Sequence, residues 1–188
     1  MRVIGGSARG RRLVGPSSEG TRPLSDRARE SLFNILGPGI RGERVLDLFA
    51  GTGALGLEAI SRGAKYADFV ENRPGSLHAL KANVAALRVR EKTRIFKKDA
   101  LSFAAGLEAG AYDLAFCDPP YESRMLDRLI ETWMQTPFAT VLVCEHAIDH
   151  PLPAGGITRE MDDKTAITIY RAPELPGSAA SLESAPDA

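Results

Sequence analysis

An α/β fold, a parallel sheet with helices on both faces, is predicted by three observations. From residue 44 short apolar runs alternate with amphipathic stretches, the signature of repeated βα units joined by right-handed crossovers. The first run leads into Phe49 to Gly56 (FAGTGALG), a G-x-G-x-x-G placed between strand and helix, the context that gives this motif meaning. The fourth run, Tyr112 to Cys117 (YDLAFC), ends in Asp118, Pro119, Pro120 and Tyr121. In open α/β sheets that carboxyl end is where ligands bind.

The elements follow in order. Residues 2 to 14 (RVIGGSARGRRLV) read as a hairpin or extended arm, two apolar patches broken by glycine and arginine. Ser25 is a candidate N-cap for a helix over 25–36 with Ala28, Leu32, Ile35 and Leu36 on its inner face, stopped by Gly37, Pro38 and Gly39. Strands are expected at 44–49, 66–71, 93–98, 112–117 and 139–146, and a closing pair at 157–161 and 166–171. Helices are expected between them at 54–62, 74–87, 101–107 and 123–134, with Pro74 suited to a first helical turn. Residues 173–188 are small, polar and proline-containing, the composition of a disordered tail.

Bulk properties bound the function. A chain of 188 residues fits one domain with a full core. No apolar run approaches the ~18 residues of a membrane helix, and the opening residues lack a signal pattern, so a cytoplasmic protein is expected. The two cysteines, Cys117 and Cys144, lie in apolar runs and read as buried thiols. Three scattered histidines and no CxxC or HExxH give no support for a metal. The zero net charge hides an asymmetry: residues 1–44 hold nine arginines against four acids. A basic opening on a near-neutral body points to a polyanionic partner. The chain therefore divides into a basic arm and helix (1–44), an α/β domain (45–172) and the tail, and it reads as a monomer because no long apolar edge or heptad is visible.

The strand ends carry the chemistry. The first four strands deliver Asp47, Glu71, Asp99 and Asp118 to one edge. A Walker phosphate loop is excluded, since Leu57 and Glu58 follow Gly56 where Lys and Ser or Thr would stand. Asp47, four residues before Gly51, would repel a pyrophosphate but suits a cationic ligand, and S-adenosylmethionine carries a sulfonium and an ammonium. Glu71 is spaced to accept from ribose hydroxyls. Asp99 could accept from an adenine amine or simply cap the helix that follows. Asp118 and the Pro119 carbonyl can each accept one N–H of an aryl amine, aiming its lone pair at the methyl group, and the carboxylate stabilises the charge that develops there. Pro120 stiffens the bend, and Tyr121 can stack on an extruded base.

The segments RVIGGSARGRRL, TRPLSDRARESLFNIL, LDLFAGTGALGLEAISRGA and DPPY together resemble the bacterial RsmD family, which methylates a guanine N2 in small-subunit (16S) ribosomal RNA. The resemblance runs from residue 1 to about 171. It implies a Rossmann-like class I methyltransferase fold of seven strands with an antiparallel edge hairpin. It also implies that Asp47, Phe49, Ala50, Gly51, Gly53, Glu71, Asn72, Asp99, Ala100 and Asp118 hold S-adenosylmethionine, that Asp118 to Tyr121 hold the guanine, and that Arg9, Arg11, Arg12, Arg22 and Arg27 face RNA in an assembling small subunit. The residues themselves leave other readings open: methylation of adenine N6 in nucleic acid or of a protein glutamine, a non-catalytic RNA-binding assembly factor, or a dinucleotide oxidoreductase, the last disfavoured by Asp47.

Overall fold

The computed structural model describes residues 1–15, 24–120 and 124–173. Its strands are β1 (Arg44–Leu48), β2 (Tyr66–Val70), β3 (Thr93–Phe96), β4 (Tyr112–Cys117), β5 (Ala139–Ala147), β6 (Ile157–Glu160) and β7 (Thr165–Arg171). The helices are α1 (Asp26–Leu36), α2 (Ala54–Ser61), α3 (Pro74–Leu87), α4 (Ala100–Ala105) and α5 (Met125–Gln135). One seven-stranded sheet has the order β3-β2-β1-β4-β5-β7-β6. Strands β1 to β5 run parallel, and β7 pairs antiparallel with both β5 and β6, which gives the expected edge hairpin.

The order explains where a ligand can sit. From β1 the chain steps outward to β2 and β3, then returns to β4 on the other side of β1, so the crossovers diverge between β1 and β4. That divergence opens a crevice at the carboxyl ends of these two strands. Two apolar layers hold the sheet. On one face Leu32 and Phe33 of α1, Leu57 and Ile60 of α2 and Leu80 and Val84 of α3 pack on Val45, Phe69 and Phe116. On the other, Ala100 and Ala104 of α4 and Leu126, Leu129, Ile130 and Trp133 of α5 pack on Leu46, Leu48 and Leu142.

Local sequence rules account for most boundaries. The Ser25 side chain accepts the Ala28 N–H at 3.1 Å, the expected N-cap, and Pro74 opens α3. Strand β3 stops at Phe96, two residues short of the expected 98, where Lys97 and Lys98 leave the ladder. The inner face of α1 differs from the expectation: Arg29 and Phe33 are buried with Ala28 and Leu32, whereas Ile35 is exposed. Apolar periodicity missed this because a buried arginine breaks it. The guanidinium of Arg29 donates to the Arg2 carbonyl and, at 2.8 Å, to Asp26, and its Nε lies 4.0 Å from Glu58.

The opening arm folds back on itself, with an antiparallel bridge between Arg2 and Arg12 and a short 3-10 turn at Gly6–Ala8. It docks on α2. Glu58, fully buried, accepts the N–H groups of Ile4 (2.7 Å) and Gly5 (2.8 Å), and Ser61 donates its hydroxyl to the Gly5 carbonyl and accepts the Ala8 N–H. Gly6, at φ 75°, approaches so closely that a Cβ there would lie 1.8 Å from the Ser61 carbonyl oxygen. Among the described residues no helix is long and apolar enough to cross a membrane.

Candidate active site

The site is built on one row of the sheet. Leu48 pairs with Val70 and Cys117, and Cys117 with Cys144, so the residues just beyond that row, Glu71, Phe49, Asp118 and Glu145, come to one edge. The register that apolar packing imposes on β1, β2 and β4 therefore gathers acids that lie far apart in sequence.

The glycine loop is held from below by two of them. Asp47 is buried, and its Oδ2 accepts the Gly56 N–H at 2.9 Å. Glu71, also buried, accepts from the N–H of Gly51 (2.9 Å) through one oxygen and from those of Asn72 (2.9 Å) and Arg73 (2.8 Å) through the other. The loop turns through three left-handed positions at alternate residues, Phe49 (φ 59°), Gly51 (φ 57°) and Gly53 (φ 80°). For a bulky residue such as Phe49 that conformation is strained, and strain of this kind concentrates at ligand sites. The glycines divide the labour. A Cβ on Gly53 or Gly56 would strike the Leu80 side chain or the Phe69 ring at 2.4 Å, so these two let α2 and α3 close on the sheet. A Cβ on Gly51 would meet nothing nearer than the Phe49 carbonyl at 3.9 Å, so Gly51 presents bare backbone to open space.

Electrostatics distinguish the carboxylates. Burial pushes the Asp47 carboxyl well above the usual range, with neighbouring Asp118 and Glu71 adding to the rise and the Gly56 N–H opposing it. Burial also pushes half-buried Asp118 up to about 7, opposed by the charge of Arg73. Asp118 makes no hydrogen bond to any described residue, whereas Pro119 behind it is buried and Pro120 exposed. A cleft that forces acids together and leaves one uncommitted favours a cationic ligand and a hydrogen-bond donor.

The remaining predicted residues are placed as follows. Asn72 is exposed beside Glu71, Ala50 is buried at the loop, and Ala100 is buried in the first turn of α4. Asp99 is exposed and caps α4, accepting the Ser102 N–H and hydroxyl at 2.9 Å each, which holds its carboxyl below the usual range. Tyr121 and Arg22 lie outside the described residues, as does the tail from 174. A groove of about 420 Å³ between arm and α1 brings Arg2, Arg9 and Arg27 together with Asp26 and Glu30. Arg11 donates to the Ala86 carbonyl at the end of α3, and Arg12 is exposed. Among the arginines counted as basic surface, Arg29 is buried and ion-paired with Asp26, and Arg44 pairs with Asp113 at 2.6 Å.

Sequence reasoning missed Arg73, Glu145 and Asn83. Arg73 is ion-paired with Glu71 at 3.3 Å and adjusts Asp118. Glu145, buried near the carboxyl end of β5, extends the pattern of acids at strand ends by one strand, a signal already present in the spacing. Asn83 is fully buried on the inner face of α3, three residues after Leu80.

A family model described as conserved hypothetical protein 95 (Cons_hypoth95) matches residues 1–170. The ribosomal RNA small subunit methyltransferase D of Haemophilus influenzae is 36% identical over 179 residues, spanning 91% of this chain and 92% of that protein. The chain belongs to the RsmD family. The Escherichia coli ribosomal RNA small subunit methyltransferase D is 42% identical over 130 residues, 69% of this chain and 65% of its own length. Among solved structures, a hypothetical protein of Thermus thermophilus superposes with a TM-score of 0.77 at 32% identity, covering 92% of this chain and 99% of its own. Both the arm and the site thus fall within the span that RsmD-family relatives share.

Proposed function

We propose that this protein transfers a methyl group from S-adenosylmethionine to the exocyclic N2 amine of a guanine in small-subunit (16S) ribosomal RNA. The observation that carries it is the gathering of Asp47, Glu71 and Asp118 at the glycine turn, Glu71 on the Gly51 N–H, Asp47 on the Gly56 N–H, and Asp118 near enough to raise the pKa of the Asp47 carboxyl while its own has no hydrogen-bond partner among the described residues. The names of the H. influenzae and E. coli relatives supply the reaction class and the substrate.

The residues fit the cofactor. Gly51 offers a surface without side chain, Asp47 and Asp118 offer negative charge to a sulfonium and an ammonium, and Glu71, Asn72, Asp99 and Ala100 border the ends of β2 and β3, where a nucleoside would lie. When bound, S-adenosylmethionine supplies an electrophilic methyl group on a positively charged sulfur. Asp118 does the rest of the polar work. Its carboxylate and the Pro119 carbonyl accept the two N–H bonds of the amine, which restores lone-pair character to a nitrogen otherwise conjugated with the ring. Positive charge then grows on that nitrogen next to a carboxylate already in place. The surplus proton passes to an Asp118 oxygen, whose pKa of about 7 suits both taking the proton and giving it up to water. Tyr121 stacks on the base, and Arg9, Arg11, Arg12, Arg22 and Arg27 hold phosphates. The protein acts as a monomer in the cytoplasm, on subunits in assembly, with residues 1–44 facing RNA and residues 45–172 carrying the chemistry.

The experiment is transfer of radiolabelled methyl to unmodified small subunits and to naked 16S RNA, with the product nucleotide identified. N2-methylguanine at one position, faster on subunits, is the expected outcome. Label in adenine or protein, or no transfer by a protein that binds the cofactor, would overturn the proposal.

A further inference from the structure

The basic arm and the glycine loop share one side chain. The carboxamide of Asn83 accepts the Val14 N–H at 2.7 Å and donates to the Val14 carbonyl at 3.1 Å and to the Thr52 carbonyl at 2.9 Å. Asn83 is fully buried, so both of its N–H groups and its oxygen are committed to backbone. Val14 lies in the opening arm, and Thr52 lies between Gly51 and Gly53. Among the described residues, Glu71 holds Gly51 from just beyond β2 and Asp47 holds Gly56 from β1, whereas Asn83 holds Thr52 and also grips the arm.

We infer that Asn83 is a positioning residue that couples the arm to the cofactor loop, so that seating of the Val14 segment and occupancy of the loop strengthen each other. This rests on the reading that the Gly51–Gly53 loop holds S-adenosylmethionine. The physical basis is the restriction of one amide by two carbonyls. With Val14 seated, the carboxamide plane is fixed and one N–H is held on Thr52. With Val14 released, that N–H gains rotational freedom and the loop loses a restraint. The arm does not depend on Asn83 for docking, because Glu58 and Ser61 hold Ile4, Gly5 and Ala8 on α2 independently. Linkage makes the effect reciprocal: whatever factor arm seating contributes to cofactor affinity, cofactor binding returns to arm seating. RNA held by the neighbouring arginines would then draw the cofactor site into order.

The test uses full-length protein and S-adenosylhomocysteine as probe. Val14 is exposed, so Val14→Pro removes its N–H without opening the core, and Asn83→Asp keeps the acceptor but loses both donors. In calorimetry each variant should bind the probe about three- to tenfold more weakly than wild type, the scale of one net hydrogen bond. Independently, hydrogen exchange at the Val14 amide of the wild-type protein should slow when the probe is added. Wild-type binding with unchanged exchange at Val14 and unchanged affinity in Val14→Pro would overturn the coupling while leaving the methyltransferase reading intact. Failure of the wild-type protein to bind the probe would instead remove that reading and the coupling with it.

Discussion

Asp47 accepts the N–H of Gly56 at 2.9 Å, so the acid near the end of β1 and the last glycine of the motif form one unit across the strand-to-helix turn. Their closeness also limits what can stand at 56, since a Cβ there would lie 2.4 Å from the Phe69 ring and 3.2 Å from the carboxylate itself. Gly56→Ala should cost about 1–3 kcal/mol of stability, the range for overpacking a filled core. Because the displaced carboxylate neighbours Asp118 and Glu71 at the glycine turn, cofactor affinity should fall too. Urea denaturation and calorimetry with S-adenosylhomocysteine measure the two effects, and a wild-type denaturation midpoint would show that the ring moves aside without cost.

Asp118 carries the proposed chemistry with no described hydrogen-bond partner, so its replacement should separate turnover from binding. Asp118→Ala should lower kcat on the order of 10²–10³, as for loss of one preorganised group. Asp118→Asn should be milder, since an amide oxygen still accepts one N–H. Single-turnover methylation of unmodified subunits gives the comparison, and full activity in both variants would make the proline bend structural only.

The raised pKa of Asp118 has a signed consequence for stability. In the unfolded chain this carboxyl loses its proton near 3.8, and in the folded protein at about 7, so between these values the native state binds more protons. Stability of the ligand-free protein should therefore fall as pH rises from about 4 to about 7. Buried Asp47 pushes in the same direction. Turnover should rise over the upper part of this window as the carboxylate forms. Denaturation midpoints against pH should slope less in Asp118→Asn than in wild type, and identical slopes would assign the effect to other groups.

Arg9, Arg11 and Arg12 are exposed on an arm whose backbone is fastened to α2, so their charges are presented on a fixed base. Replacing all three with Gln should weaken RNA binding and reduce the slope of log K against log salt by about 2–3, one phosphate contact for each charge. Filter binding between low and moderate salt reads the slope directly. An unchanged slope would mean that this arm does not touch phosphate.

The burial of Glu58 yields a prediction about the arm itself. It satisfies two arm N–H groups and pairs with Arg62 at 2.7 Å, so Glu58→Ala leaves Arg29 and Arg62 without their shared anion. Removing one partner of a buried ion pair costs about 3–5 kcal/mol. Limited proteolysis should then cut within the first fifteen residues, sites that the docked arm protects. Unaltered resistance would show that Ser61 and Asn83 suffice to hold the arm.

Periodicity and punctuation made much of the framework legible. Pro74 and Ser25 mark helix starts by rules that act within one turn, and strands buried on both faces read as largely apolar runs because a buried polar group there needs a partner, as Asp47 has in the Gly56 N–H. The polar interior was less legible. Arg29, Glu58 and Asn83 look like solvated helix residues in a linear reading, and only the arm folding over α2 and α3 turns them inward. Asn83 left a trace, a polar residue on the apolar stripe of Leu80 and Val84, and Glu145 left another in the recurrence of acids at strand ends.

What the chain determined by itself is the kind of fold and the composition of its cleft, because hydrophobic spacing sets strand and helix while glycine and proline fix the turns. What the tertiary structure decided is which acid does what: Asp47 and Glu71 brace the loop, Asp99 caps a helix, and Asp118 stands uncommitted among the described residues. These roles depend on which backbone N–H groups come within hydrogen-bonding reach of each carboxylate, and that reach is fixed by sheet register and helix docking, which no local run of residues encodes.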